Sequence, residues 1–403
     1  MRDPSRVRVV GPLAPFQAGF VEELAESGYR RASAALQLRL MAQVSVWLAR
    51  EGLDVQALSS AAVERFWAER RTAGYSDYVS PKALVTLLEY LRGLGLVPGV
   101  AALTVTAVEA LLERYRVYLI GERGLTAATA GGYVDAVRPF LAGRVDAAGE
   151  LELEGLAASD VLAFVLAECP RRRRGSAKLI VTALRSLLGF MHVEGLVARP
   201  LAAAVPSVAG WRLAGLPRAL EGDQVQALLA SCDRQAVAGR RDYAILLLLV
   251  RLGLRRGEVA ALGLDDVDWR AGELIVRGKG PRVERMPLPT DVGEALADYL
   301  RHGRPATVEG RPVFARVKAP QRALTPGGVT QVVVSAARRA GLEPVTAHRL
   351  RHTAATELLR AGAPLAEIGQ LLRHRSQLTT AIYAKVDRDR LRELARPWPG
   401  GVA

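Results

Sequence analysis

Apolar residues in the first half of the chain recur at helical spacing. Leu40, Val44, Trp47 and Leu48 stand at i, i+4, i+7 and i+8, the buried face of an amphipathic helix. Tyr133, Val137, Phe140 and Leu141 repeat that stripe 93 residues later. Val63 and Phe66 return as Val161 and Phe164 at an offset of 98, and Leu91, Gly95, Leu96 and Val97 return as Met191, Gly195, Leu196 and Val197 at an offset of 100. Loop insertions between equivalent helices produce such a drift. The pattern predicts two copies of one small helical module, 1–105 and 106–205, too few for a solenoid.

The stretch Pro206–Pro217 has Gly and Pro at both ends and no periodicity, which marks a linker. Beyond it, 218–403 reads as mixed α and β. An apolar helix is expected near 241–253, and helices near 291–301, 328–340, 349–361 and 364–373. Leu274-Ile275-Val276 and Val283–Leu288 flank the glycine-rich basic turn Arg277–Arg282, a hairpin. A short amphipathic piece at 387–395 precedes a Pro-Trp-Pro-Gly-Gly tail. The expected fold class is mostly α and multidomain, with a small β-sheet in an α+β C-terminal domain.

Charge narrows the class of partner. The 403 residues hold 55 Lys and Arg against 41 Asp and Glu, a net charge of +14. Such an excess points to a polyanion, most often nucleic acid. Arginine supplies nearly all of it, since the lysines are only Lys82, Lys178, Lys279, Lys318 and Lys385. Arginine's planar fork suits phosphate. The run Arg171-Arg172-Arg173-Arg174, with Lys178 and Arg185 on the helix that follows, is the candidate DNA-contacting set. The longest unbroken apolar run, Tyr243–Val250, falls far short of the roughly 20 residues of a membrane span. No apolar stretch of signal-peptide type follows Met1–Arg8. Cys169 and Cys232 cannot form a disulfide framework and lack metal-ligand spacing. A cytoplasmic protein without membrane, metal or cofactor is expected.

Six residues in the last 170 carry candidate chemistry. Arg255 follows Arg251-Leu252-Gly253-Leu254, where one helix ends and the next begins, and a helix N-terminus favours an anion. Lys279 is at the hairpin tip. His348 and Arg351 lie one turn apart on one helix face and can share a ligand. His374 follows Ile368–Arg373, and Tyr383 comes nine residues later. Taken singly, each has a plain structural explanation: a solvated cap, a hairpin charge, a helix-end histidine, a core aromatic. Their conjunction in this order does not.

In these residues the chain resembles the tyrosine recombinases, the phage integrase family. The match lies in Leu252-Gly253-Leu254-Arg255-Arg256-Gly257-Glu258, Gly278-Lys279-Gly280, His348-Arg349-Leu350-Arg351-His352-Thr353, and Leu371-Leu372-Arg373-His374 followed by Thr379-Thr380-Ala381-Ile382-Tyr383. It covers about 217–395; 106–205 resembles the family's helical, SAM-like core-binding domain with weaker motifs. One departure is Arg373, where the family commonly has glycine. Residues 1–105 match no arm-binding β-domain and read as an extra helical DNA-binding clamp.

The resemblance implies a site-specific recombinase or integrase. Tyr383 attacks a scissile phosphate to give a covalent 3′-phosphotyrosine and a free 5′-hydroxyl, which a second 5′-hydroxyl reverses. Arg255 and Arg351, aided by His374, hold the charge of the transition state. Lys279 is the expected general acid, and His348 assists the proton of Tyr383, whose ordinary pKa is about 10. The expected partners are duplex DNA and other copies of the chain, a tetramer on two DNA sites with the 387–395 segment as contact. The added N-terminal lobe favours a mobile element over an Xer-type resolvase of chromosome or plasmid dimers. A type IB topoisomerase shares the phosphotyrosine chemistry but acts alone; a silent DNA-binding protein would keep the clamp without the cut.

Overall fold

The computed structural model describes residues 4–75, 83–97, 106–208, 219–278, 283–373 and 380. The chain divides into two compact units, Met1–Val97 with Leu213–Ala403, and Pro98–Arg212. The described residues form three main hydrophobic cores, one in 1–97, one in 106–208 and one in the C-terminal domain, where a smaller cluster lies beside it.

Residues 1–97 hold α1 (Gln17–Glu26), α2 (Arg31–Arg50), α3 (Ser60–Thr72) and α4 (Val85–Gly93). The predicted stripe of α2 is buried: Leu40, Val44, Trp47 and Leu48 join Phe20, Leu24, Met41 and Trp67. Ser59 caps α3, its hydroxyl accepting the Ala62 N–H at 3.3 Å. This lobe touches the C-terminal domain where Ser27 O accepts the Gln321 N–H at 3.0 Å and Glu89 pairs with Arg322 at 2.9 Å.

Residues 106–208 hold α5 (Ala107–Gly121), α6 (Ala127–Ala142), α7 (Ala158–Glu168) and α8 (Arg174–Val193). Thr106 and Thr126 cap the first two, accepting from the N–H groups of Glu109 and Thr129. Among the described residues α8 alone has the length and hydropathy to cross a membrane, but it spends its apolar face on this core, burying Val181, Leu184, Leu187, Phe190 and Met191.

Positions related by the 93–100 offsets do the same work in both lobes. Trp47 meets Phe66 edge-on, centroids 5.7 Å apart at 68°; Phe140 meets Phe164 at 5.2 Å and 69°. Beyond the last helix of each, Gly95 and Gly195 sit at φ +71° and +70°. The next amide then reaches back to Leu91 O at 3.0 Å in one lobe and Met191 O at 2.8 Å in the other.

The C-terminal domain is built around α10 (Val237–Arg251), whose run Ala244–Leu249 is buried on every side. Around it stand α9 (Gly222–Ala230), α11 (Arg256–Ala261), α12 (Thr290–His302), α13 (Pro326–Arg339), α14 (Ala347–Arg360) and α15 (Leu365–Leu371). The expected hairpin is present as β2 (Glu273–Arg277) and β3 (Val283–Pro287), with Leu274 opposite Met286. A two-residue strand, β1 (Val267–Asp268), extends it to an antiparallel sheet of order β1-β2-β3. The protein is mostly helical with one small three-stranded sheet, the fold class expected from the pattern.

Candidate active site

The site begins where α10 stops. Leu252 and Leu254 are buried, and between them Gly253 turns the chain at φ +56°. A Cβ there would lie 2.6 Å from Leu372 Cδ2 and force that side-chain tip aside, and the left-handed backbone itself favours glycine. Arg255 follows in extended conformation (φ −75°, ψ 149°) as N-cap of α11, and its N–H donates to Glu258 Oε2 at 2.8 Å. Its side chain, 42% exposed, donates through Nη1 to Glu258 Oε1 at 2.5 Å and through Nη2 to the Arg373 carbonyl at 3.1 Å.

α14 supplies the second arginine. Thr346 caps the helix by accepting from the Arg349 N–H at 3.2 Å. One turn in, Arg351 is 3% exposed; its Nη1 donates to the Gly253 carbonyl at 2.5 Å and its Nη2 to the Leu372 carbonyl. The guanidinium groups of Arg255 and Arg351 therefore hold adjacent carbonyls, those of Arg373 and Leu372, at the end of α15. The carbonyls there have no helical partner and carry the negative end of the helix dipole.

Glu258 and Arg373 complete this cluster. Arg373 Nη2 donates to Glu258 Oε2 at 2.8 Å, with both side chains about 5% exposed or less. Burial pushes the Glu258 carboxyl up, but the Arg255 N–H and the two guanidinium groups together hold it below the usual carboxylate range. Arg373 sits at φ +54°, which explains why glycine suits this position.

His348 is at the exposed start of α14, with its Nε2 3.1 Å from His352 Nε2 one turn on. Desolvation lowers its pKa first, then the charges of Arg351 and Arg255. Desolvation, His348 and Arg351 push His352 down to about 4. Both rings are neutral at pH 7, so one Nε2 donates to the other. His348 and Arg351 do share the helix, but here each has its own partners.

The structure thus brings Arg255, Arg351 and His348 to one region. Lys279, His374 and Tyr383 lie outside the described residues. Thr380, three residues before Tyr383, is buried beside Gly369 of α15, its Oγ1 2.9 Å from where a Cβ would stand. Glu258, Arg373 and His352 are members of the cluster that the sequence pattern did not single out for a role. Two had a signal: Glu258 is the N3 glutamate of a capping arrangement, and His352 is i+4 from His348. Among the described residues no cluster of three His, Cys, Asp or Glu could hold a metal ion.

The basic set of the middle lobe is at the start of α8. Arg171, Arg172, Arg173, Arg174 and Lys178 are exposed, with Arg172 paired to Glu168 at 2.9 Å. Arg185 differs: it is half-buried and donates to Val205 O at 2.8 Å and Ser207 Oγ at 3.0 Å, fixing the end of its own lobe.

Comparison with known proteins gives a consistent result. Residues 218–390 match the phage integrase family. The chain is 42% identical over 395 residues to a Sinorhizobium fredii protein that carries the name integrase/recombinase y4rA, covering 97% of this chain and 95% of that one. It is 34% identical over 309 residues to tyrosine recombinase XerD of Mycobacterium tuberculosis, covering 72% of this chain and 96% of XerD. The fold is similar to that of the XerH site-specific recombinase bound to a palindromic difH substrate (TM-score 0.54, 19% identity, 82% of this chain and 93% of that one). It is also similar to the lambda integrase tetramer bound to a Holliday junction (TM-score 0.53, 18% identity, 74% and 86%). The chain belongs to the phage integrase family, the tyrosine recombinases.

Proposed function

We propose that this protein cuts and rejoins DNA at specific sites through a covalent 3′-phosphotyrosine on Tyr383, in the service of a mobile element. The observation that carries this reading is the convergence of Arg255 and Arg351 on the Leu372 and Arg373 carbonyls, directly before His374. Two guanidinium groups held side by side form a preorganised clamp for the non-bridging oxygens of a phosphate under attack. The Tyr383 oxygen bonds to phosphorus as the P–O5′ bond breaks. Lys279 gives its proton to the leaving 5′-oxygen, and neutral His348 accepts the phenol's proton. A second 5′-hydroxyl reverses the sequence, so the bond energy is conserved without ATP. His374 adds a hydrogen bond to the phosphate.

DNA is the partner, held by phosphate contacts from Arg171–Arg174 and Lys178, while Arg185 supports the lobe that carries them. Residues 1–105 are a second helical clamp of the same unit. The S. fredii relative supports a mobile-element role because it matches almost the whole chain, whereas XerD matches 72% of it. An Xer-type resolvase is the second reading, favoured by that same XerD match. The working assembly is a tetramer. A cavity of about 610 Å³ with an apolar floor of Met286, Leu358, Ile368 and Leu371 and the charged Arg285 and Glu367 in its lining is the place for Leu391 and Leu394 of a neighbour's tail.

The test is capture of the covalent adduct. The full chain is incubated with fragmented source DNA under denaturing quench, and the DNA left on protein is sequenced. A unique 3′ end attached to Tyr383, lost in Tyr383→Phe, is expected. No adduct at any salt or DNA concentration would sink the proposal, and recombinant product from the trapped site separates a recombinase from a topoisomerase.

A further inference from the structure

The Arg373 side chain has no part in the chemistry proposed above, yet it is buried in the cluster and bonded to three different partners. Among the described residues it is the only non-glycine with positive φ, at +54°. That conformation costs an ordinary residue about 1 kcal/mol and persists only where surrounding contacts over-determine it. The contacts are present. Arg373 Nη2 donates to Glu258 Oε2 at 2.8 Å and Nη1 to Leu371 O at 2.8 Å, and the guanidinium touches the Met286 thioether of β3. Its carbonyl accepts from Arg255 Nη2 at 3.1 Å.

Both acceptors that hold the Arg255 guanidinium, Glu258 and the Arg373 carbonyl, therefore depend on this residue, Glu258 being anchored also by the Arg255 N–H. Glu258 is fixed by the Arg373 side chain, and the second acceptor belongs to Arg373 itself. We propose that Arg373 is a positioning residue for Arg255, a role that glycine at this point of the chain cannot supply. Without Arg373 the bonds left to the Glu258 carboxylate, from the Arg255 N–H and guanidinium, both come from Arg255 itself. The Arg373 bond holds the carboxylate from outside that residue, as a post against which Arg255 is aimed. Through Glu258 the same residue ties α11 to the end of α15. This inference rests on the reading of Arg255 as the phosphate clamp.

The test uses the full chain on a nicked duplex carrying the site recovered by adduct capture. DNA affinity and the single-turnover rate of adduct formation are measured separately for Arg373→Gly, Arg373→Lys and Arg255→Ala. Arg373→Gly keeps the carbonyl and relaxes the backbone but removes the post. We expect adduct formation about ten- to a hundredfold slower with DNA affinity unchanged, and most of the rate restored in Arg373→Lys. Should Arg373→Gly fail to fold, Arg373→Asn tolerates the left-handed backbone without the charge and takes its place. A wild-type rate in the glycine or asparagine variant overturns the inference. So does an equal loss of affinity and rate in those variants and in Arg373→Lys, the mark of a purely structural role. If Arg255→Ala cleaves normally, the clamp reading fails; if it is dead while Arg373→Gly is normal, only the positioning role fails.

Discussion

The two helical lobes turn corresponding stripes inward and cross an aromatic pair at corresponding positions, yet they present different surfaces. In 1–97, Trp47 and Phe66 meet edge-on, the Trp47 indole N–H donates to Glu69 at 3.0 Å, and the outer face meets the C-terminal domain through Ser27 and Glu89. In 106–208, Phe140 and Phe164 repeat the crossing, but the outer face carries Arg171–Arg174 at the head of α8. The two lobes share a packing geometry and differ in where they carry charge. A core tolerates few shapes, whereas an exposed charge is worth little to stability and can change with the partner.

Substitution in the shared core is the strongest way to break this comparison. Trp47→Ala and Phe140→Ala each remove a buried aromatic of an equivalent pair and should each cost about 3–5 kcal/mol, read by denaturant unfolding. If one is tolerated while the other unfolds its lobe, the two cores are not the same unit.

Function divides the lobes at a somewhat smaller scale. Deleting 1–105 should weaken DNA binding by about ten- to a hundredfold, or about 1.4–2.7 kcal/mol, and leave adduct formation at saturating DNA intact. The deletion takes the exposed Glu89–Arg322 pair and the Ser27–Gln321 hydrogen bond from the C-terminal domain, so a melting curve of the shortened chain is run beside the binding assay to separate lost affinity from lost folding. Unchanged affinity would show that the first lobe serves something other than DNA. Removing the charges of Arg171, Arg172 and Arg173 should flatten the salt dependence of binding, by about 0.9 in slope for every phosphate no longer neutralised.

A pH ramp sets the C-terminal domain against both lobes. His352 ionises near 4 in the folded protein and near 6.5 unfolded. Between those values the unfolded chain holds a proton that the folded one lacks, so stability falls as pH drops from about 6.5 to about 4. His352→Gln should remove that part of the slope in a series of melting temperatures. A slope identical to wild type would mean that His352 is not the group responsible.

How much of this was legible follows from what each feature needs. The buried stripes, the hairpin and five of the seven C-terminal helices were written locally, in spacing and turn residues, and they stand within a few residues of expectation, whereas α9 was not expected. β1 was not, because two residues carry no period. Arg255, His348 and Arg351 could be picked from local context, and Glu258 was available in the capping pattern three residues on. The Glu258–Arg373 pair was beyond reach: its partners are 115 positions apart, and no local rule joins them. Arg373 stood out only as a departure from glycine, and the left-handed backbone behind that preference emerges only in three dimensions.

The finest test lies in the two glycines that end the lobes. Gly95 and Gly195 have the same φ within a degree, and a Cβ added to either would meet nothing within 4 Å. Substitution by alanine is then free of steric clash, and the whole effect is the left-handed backbone, about 1 kcal/mol in each lobe. Asparagine, which adopts that conformation more readily, should cost less in both. Unequal losses for Gly95→Ala and Gly195→Ala would place the difference between the lobes in the backbone itself. Equal losses would confine it to the side chains, where charge and not packing separates one lobe from the other.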